Sequence, residues 1–203
     1  LSRFGINAQN TVNTTYNLTI DVAGVTGGVH GISATNNGSG ALLITSTGLV
    51  DGQTGIGIQA INGANARDDL SIYADRVNGG ITGIDVRNDG TGATFVTATG
   101  NISGGNHGID VYNSATGTNL IVDVLDVDGG ANGIRARNYG TGGMSVISYG
   151  SVSGGVEGIF ARNSNNGRDL GITAVNVTGG TVGIDARNDG TGSLGVAALG
   201  DVS

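Results

Sequence analysis

The residues able to do acid–base or nucleophilic chemistry are few, and their spacing says more than their number. The chain has 203 residues, with nine basic residues, all of them Arg, 16 acidic ones, two His and no Cys. The histidines stand in one context, His30-Gly31-Ile32 and His107-Gly108-Ile109. Neither a G-x-S-x-G nucleophile elbow nor a G-x-x-x-x-G-K phosphate loop occurs. The calcium-binding nonapeptide G-G-x-G-x-D-x-U-x is missing, and Asp123, Asp126 and Asp128 do not follow a calcium-loop spacing. No metal and no cofactor is expected.

Two groups of charged residues recur at 25-residue offsets. Asp85 and Asp110 form one pair, and Arg137, Arg162 and Arg187 form a row with Arg135 beside it. If the offset brings equivalent strands together, the two carboxylates lie one strand spacing apart, close to the ~5 Å of retaining glycosidases. Stacked arginines at ~4.8 Å repel unless paired or occupied. One outcome is a basic stripe for an acidic glycan or carboxylated ligand, since guanidinium forks suit such groups. The other is a ladder neutralised by Asp185, Glu157 and their neighbours. The candidate ligand-binding stripe comprises Arg135, Arg137, Arg162, Arg187, Asp185, Phe160 and Tyr112.

The positioning elements follow from an internal repeat. The motif G-I-x-[AV]-x-N begins at Gly5, Gly31, Gly57, Gly83, Gly108, Gly133, Gly158 and Gly183, at intervals of 25 or 26 residues. Its Ile, Ala or Val, and Asn are two residues apart, so a strand points all three to one face whereas a helix scatters them. The residues between them, among them Asp85, Asp110 and the arginines, then face solvent. A second alternating run follows, as in Leu70-Ser71-Ile72 and Leu120-Ile121-Val122. A third centres on Val25, Val50, Val77, Ile102, Val127, Val152, Val177 and Val202.

Three short strands and three turns in 25 residues describe one coil of a parallel β-helix. The expected fold is all-β, a right-handed single-stranded solenoid of eight coils spanning residues 1–203 as one domain, roughly 38 Å long at strand spacing. Asn10, Asn36, Asn62, Asn88, Asn113, Asn138, Asn163 and Asn188 form its internal ladder, because a side-chain amide carries donors and an acceptor and satisfies a copy of itself stacked above. Asn also tolerates the left-handed backbone a corner can demand. A longer period is overlaid: coils from Gly31, Gly83, Gly133 and Gly183 run from Asn into a short glycine-rich turn, whereas the intervening coils take a longer path. Two alternating corner shapes are expected. The coils carry no insertion to wall a cleft or shift a carboxyl pKa, which disfavours catalysis.

Composition fits a thin core. Gly numbers 41, while Pro, Cys and Trp are absent and Phe and Tyr number three and five. A net charge of -7 excludes nucleic acid as a partner. The missing cysteines remove a disulfide scaffold and suit export in an unfolded state.

With G-I-x-A-x-N-x-G-T-G followed by a G-x-V-x-G-G run, the chain resembles the passenger repeats of bacterial autotransporters (type V secretion) from Gly5 to Ser203. The resemblance implies a stalk or adhesin, exposed on the bacterial surface or secreted. It implies a membrane link only through a C-terminal outer-membrane β-barrel, which this chain does not contain. A monomeric segment of a longer passenger is expected, with a host-surface protein or an acidic glycan as partner and no enzymatic activity. The alternative is a polysaccharide-binding or polysaccharide-cleaving β-helix, a lyase or glycoside hydrolase.

Overall fold

In the computed structural model, which describes residues 2–203, the repeat becomes a parallel β-solenoid of eight coils. The G-I-x-[AV]-x-N motif forms the first strand of each coil. These strands run Phe4–Asn10, His30–Asn36, Ile56–Asn62, Thr82–Asn88, His107–Asn113, Asn132–Asn138, Glu157–Asn163 and Val182–Asn188, and they pair in chain order as one eight-stranded parallel sheet. The second strands, such as Leu42–Ser46, Leu70–Ala74 and Thr94–Ala98, and the third, such as Val77–Gly79 and Ile102–Gly104, make up the other sheet. Second and third strands fuse into continuous ones at Met144–Gly154 and Leu170–Gly179. No helix long and apolar enough to cross a membrane occurs among the described residues.

Like residues stack on like throughout. Ile84 pairs with Ile58 and Ile109, Val86 with Ala60 and Val111, and Asn88 with Asn62 and Asn113. Strand alternation turns these inward, and Ile32, Ile58, Ile84, Ile109, Ile134 and Ile159 are fully buried. Each contributes about 1.5–3 kcal/mol relative to an exposed side chain. Leu42, Leu70, Leu120 and Leu170 meet this column from the second strands, and Val50, Val77, Val127 and Val177 from the third.

The asparagine ladder forms with one interruption. Nδ2 of each Asn donates to Oδ1 in the next coil: Asn10 to Asn36 at 3.4 Å, Asn36 to Asn62 at 3.1 Å, Asn88 to Asn113 at 3.2 Å, Asn113 to Asn138 at 2.9 Å, Asn138 to Asn163 at 3.0 Å and Asn163 to Asn188 at 2.9 Å. Asn62 instead turns its amide to the Asp68 carbonyl at 3.5 Å, so the rung to Asn88 is missing. Just beyond the gap, buried Thr94 joins the column, accepting from Asn88 at 3.1 Å and donating to Asn113 at 3.3 Å. Sequence pattern does not single out Thr94, which stands where its stacked neighbours are Leu70 and Leu120.

The two corner shapes are present. In the short corners Oδ1 of Asn36, Asn88, Asn138 and Asn188 accepts from the backbone of the glycine two residues on. Their Nδ2 donates to Gly40, Gly92, Gly142 and Gly192, four residues on. In the long corners the amide reaches five or six residues, to Tyr16, Asp68, Thr118 and Arg168. A local backbone turn closes these corners instead, as in Ala66 N–H to Gly63 O and Gly117 N–H to Ser114 O. Left-handed backbone is not how the corners are made. No described residue has positive φ, so the Asn column is selected by its hydrogen bonding. Glycine is required by crowding: a Cβ on Gly108 would stand 2.4 Å from Val127 Cγ1 and 2.7 Å from the Gly133 carbonyl.

Removing Asn113 deletes its hydrogen bonds to Asn88, Thr94, Thr118 and Asn138, each costing about 0.5–1.5 kcal/mol. Asn113→Ala is therefore expected to lower stability by about 2–4 kcal/mol, read by urea denaturation. Asn10→Ala, in a half-buried coil, is expected to cost about 1 kcal/mol or less. A loss at Asn113 no larger than about 1 kcal/mol would show that the ladder does not stabilise the interior.

Candidate functional site

The outer face of the first-strand sheet carries the charged rows, and alternation places them there because it turns Ile inward. Register stacks Arg137 on Tyr112, Arg162 on Arg137 and Arg187 on Arg162. In the neighbouring row Asp85 lies beside Asp110, Asp110 beside Arg135, and Phe160 between Arg135 and Asp185. The structure therefore brings the whole candidate stripe together.

It also neutralises that stripe. Arg137 Nη2 donates to Asp110 at 2.7 Å, and Arg135 Nη1 lies 3.6 Å from the second oxygen of the same carboxylate. Arg162 pairs with Asp185 and reaches the carbonyls of Ala161 at 3.1 Å and Asp185 at 3.0 Å. Arg187 pairs with Asp189 at 2.8 Å and Arg87 with Asp89 at 2.6 Å. Asp185 balances the row as expected. Glu157 does not: it accepts from Asn132 at 2.6 Å, since both sit three residues upstream of the outward row. Its place is filled by Asp110, one coil before Arg135 and Arg137. These part-exposed pairs contribute little individually, but they leave no run of free cations. In the unliganded chain the arginines of the stripe are held by carboxylates of their own sheet.

The arginines also cover the aromatic faces. Arg162 lies over Phe160 at 4.1 Å from its centroid, and Arg87 and Arg137 flank Tyr112 at 5.1 and 5.7 Å. Tyr139 stands 5.4 Å from Tyr112. A shallow groove of about 330 Å³ remains, lined by Ile61, Asp85, Val86, Arg87, Tyr112 and Arg137.

Asp85 corrects one expectation. No insertion walls this face, yet its carboxyl is held above the usual 3.8, first by burial among stacked neighbours and then by the charge of Asp110. The hydrogen bond from Gln59 and the charge of Arg137 oppose the rise. A raised acid beside a carboxylate is the arrangement from which acid–base pairs are built. Here two guanidiniums hold Asp110, so it is poorly placed to attack a substrate.

The histidines lie three coils apart in the same stack. Burial lowers both, with Arg3 adding to the effect at His30. His30 Nδ1 accepts the Ile56 N–H at 3.2 Å and its ring stacks on Phe4. His107 Nε2 accepts from Arg135 at 3.3 Å, and its buried Nδ1 has no partner. Among the described residues no three His, Asp or Glu side chains converge on a metal position. Several corner carboxylates and amides cap the next coil: Asp69, Asp126 and Asp169 accept from the backbones of Ala93, Ser151 and Ser193 at 2.7–2.8 Å, and Asn17 and Asn119 act likewise at 2.9 Å.

This geometry defines a parallel β-solenoid with an ion-paired outer sheet. The chain matches no protein-family profile, no curated protein and no solved structure.

Because the folded state holds the Asp85 proton above its ordinary 3.8, folding is favoured by protonation. The ionised form costs stability at pH above the folded value, and the cost is absent once both states are protonated. Asp85→Asn is expected to raise the unfolding midpoint at neutral pH, with the gain shrinking to nothing below about pH 3. Melting curves from pH 2 to 8 decide it; a variant less stable than the parent at pH 7 contradicts the assignment.

Proposed function

We propose that the chain is a length of an elongated attachment rod on a bacterial surface, of the kind autotransporters carry as passengers, either retained on the cell or released. The observation that carries this reading is the in-register stack of equal coils. The extent of such a stack grows by one strand spacing per coil, and each coil presents the same two flat outer sheets. That is how a chain gains reach and lateral surface without long loops. The cysteine-free sequence suits passage through an outer membrane before folding, since no bridge locks it early. Attachment draws on the exposed sheets, and the paired arginines favour a partner recognised without net charge over an acidic glycan.

Antibodies raised against the purified chain test the location. Intact cells of the source bacterium are expected to be labelled, and brief protease treatment is expected to strip the label. Label appearing only after permeabilisation would remove the surface assignment. Beads coated with the chain are further expected to adhere to host cells above albumin-coated controls.

A further inference from the structure

The first-strand sheet closes its aromatic rings beneath guanidiniums; the second-strand sheet leaves Tyr73 open between two threonines. We propose that the groove around Tyr73 binds a neutral saccharide unit. This gives a ligand chemistry to the attachment reading and rests on it for its purpose, whereas the binding itself is a property of the isolated chain.

Three consecutive strands build the groove: Leu42–Ser46, Leu70–Ala74 and Thr94–Ala98. Their inward residues fix the backbone, with Leu70, Ile72 and Ala74 buried in the core. Alternation then turns Tyr73 outward, in register with Thr45 on one side and Thr97 on the other. A ring between two short β-branched neighbours at ~4.8 Å rises above both, and Tyr73 is 47% exposed. One step along, Thr47, Asp75 and Thr99 lie across the same three coils. Together these residues line a groove of about 450 Å³, within the size range of small-ligand sites.

The chemistry of the lining selects the ligand. A sugar ring presents C–H groups on a face and hydroxyls around an edge. Tyr73 offers an aromatic face for the first, without the guanidiniums that flank Tyr112. Threonine hydroxyls and the Asp75 carboxylate offer donors and acceptors for the second. A purely apolar ligand would bury those hydroxyls unpaired, at a cost in free energy. Asp75 is the only ionisable group in the lining besides the Tyr73 phenol, and Arg76 lies 3.3 Å from it. No cation is left to draw in a carboxylate or sulfate, so the sugar is uncharged.

Saturation-transfer NMR on the purified full chain tests the site. The probes are methyl glycosides of glucose, galactose and mannose with their disaccharides, run beside sialic acid and a glucuronate oligomer. Transfer to ring C–H protons of at least one neutral probe is expected. Tyr73→Ala is expected to weaken that binding about tenfold or more, because the stacking face is gone. Tyr73→Phe is expected to keep most of it, and Tyr112→Ala, on the other sheet, all of it. Circular dichroism and melting of Tyr73→Ala should match the parent, since the ring contributes little to the core. Silence from every neutral probe, response to the anionic probes alone, or transfer undiminished in Tyr73→Ala overturns the site. Each of those outcomes leaves the surface labelling untouched, so loss of the groove and loss of the rod are told apart.

Discussion

Vertical registration of equal turns is the constraint on which the rest depends. Parallel strands hydrogen-bond only to the coils above and below, so a residue's environment is set by its counterpart one repeat away. A one-residue slip would reverse every side chain, driving Ile84 outward and Asp85 into the core. The amide column opposes such slippage more sharply than the aliphatic columns do. Ile tolerates small offsets against Val or Ala, whereas an Asn in the interior must meet a complementary group or stay unsatisfied. The short corners at Asn36, Asn138 and Asn188 add to this restraint because the same Oδ1 that receives the previous coil's amide also holds the local backbone.

Much of this architecture is legible in the sequence, for a simple reason. In a solenoid, three-dimensional neighbours are periodic in the chain, so long-range contacts become visible as short-range pattern. The Ile and Asn columns, the solvent-facing rows and the alternation of corners all follow from counting. What stays hidden is whatever breaks the period. The missing rung between Asn62 and Asn88 lies inside an unbroken run of identical letters. Thr94 enters the column from a position that reads as an apolar one gone polar. Gly at the head of each motif is conspicuous in the sequence, but its reason, a valine or isoleucine methyl pressed against the backbone, is visible only in three dimensions.

The charged face shows the limit of row-by-row reading. Stacked in one dimension, Arg137, Arg162 and Arg187 look like accumulated positive charge. In two dimensions each finds a carboxylate: a diagonal neighbour one coil back for Arg137, one coil on for Arg162, and two residues along its own strand end for Arg187. Long flexible side chains choose among several partners within reach, and periodicity alone does not select one. Asp85 is the converse case. Its spacing announces the neighbouring carboxylate of Asp110 but not the larger cause, the packing among stacked neighbours that withdraws water and holds its proton more tightly. The same economy of shape leaves Tyr73 conspicuous, because the threonines beside it are too short to cover a ring.

Alternating corners carry a consequence for how such a protein changes length over evolutionary time. Gly31, Gly83, Gly133 and Gly183 open coils of one kind, and the coils between them are of the other. Duplicating or losing a single coil would seat two identical bends against each other, where one bend's glycines have nothing shaped to receive them. Recombination that adds or removes coils in pairs preserves every junction. Lineages carrying this design should therefore differ in size by steps of about fifty residues, and a gene of odd coil number should bear visible repair at the seam.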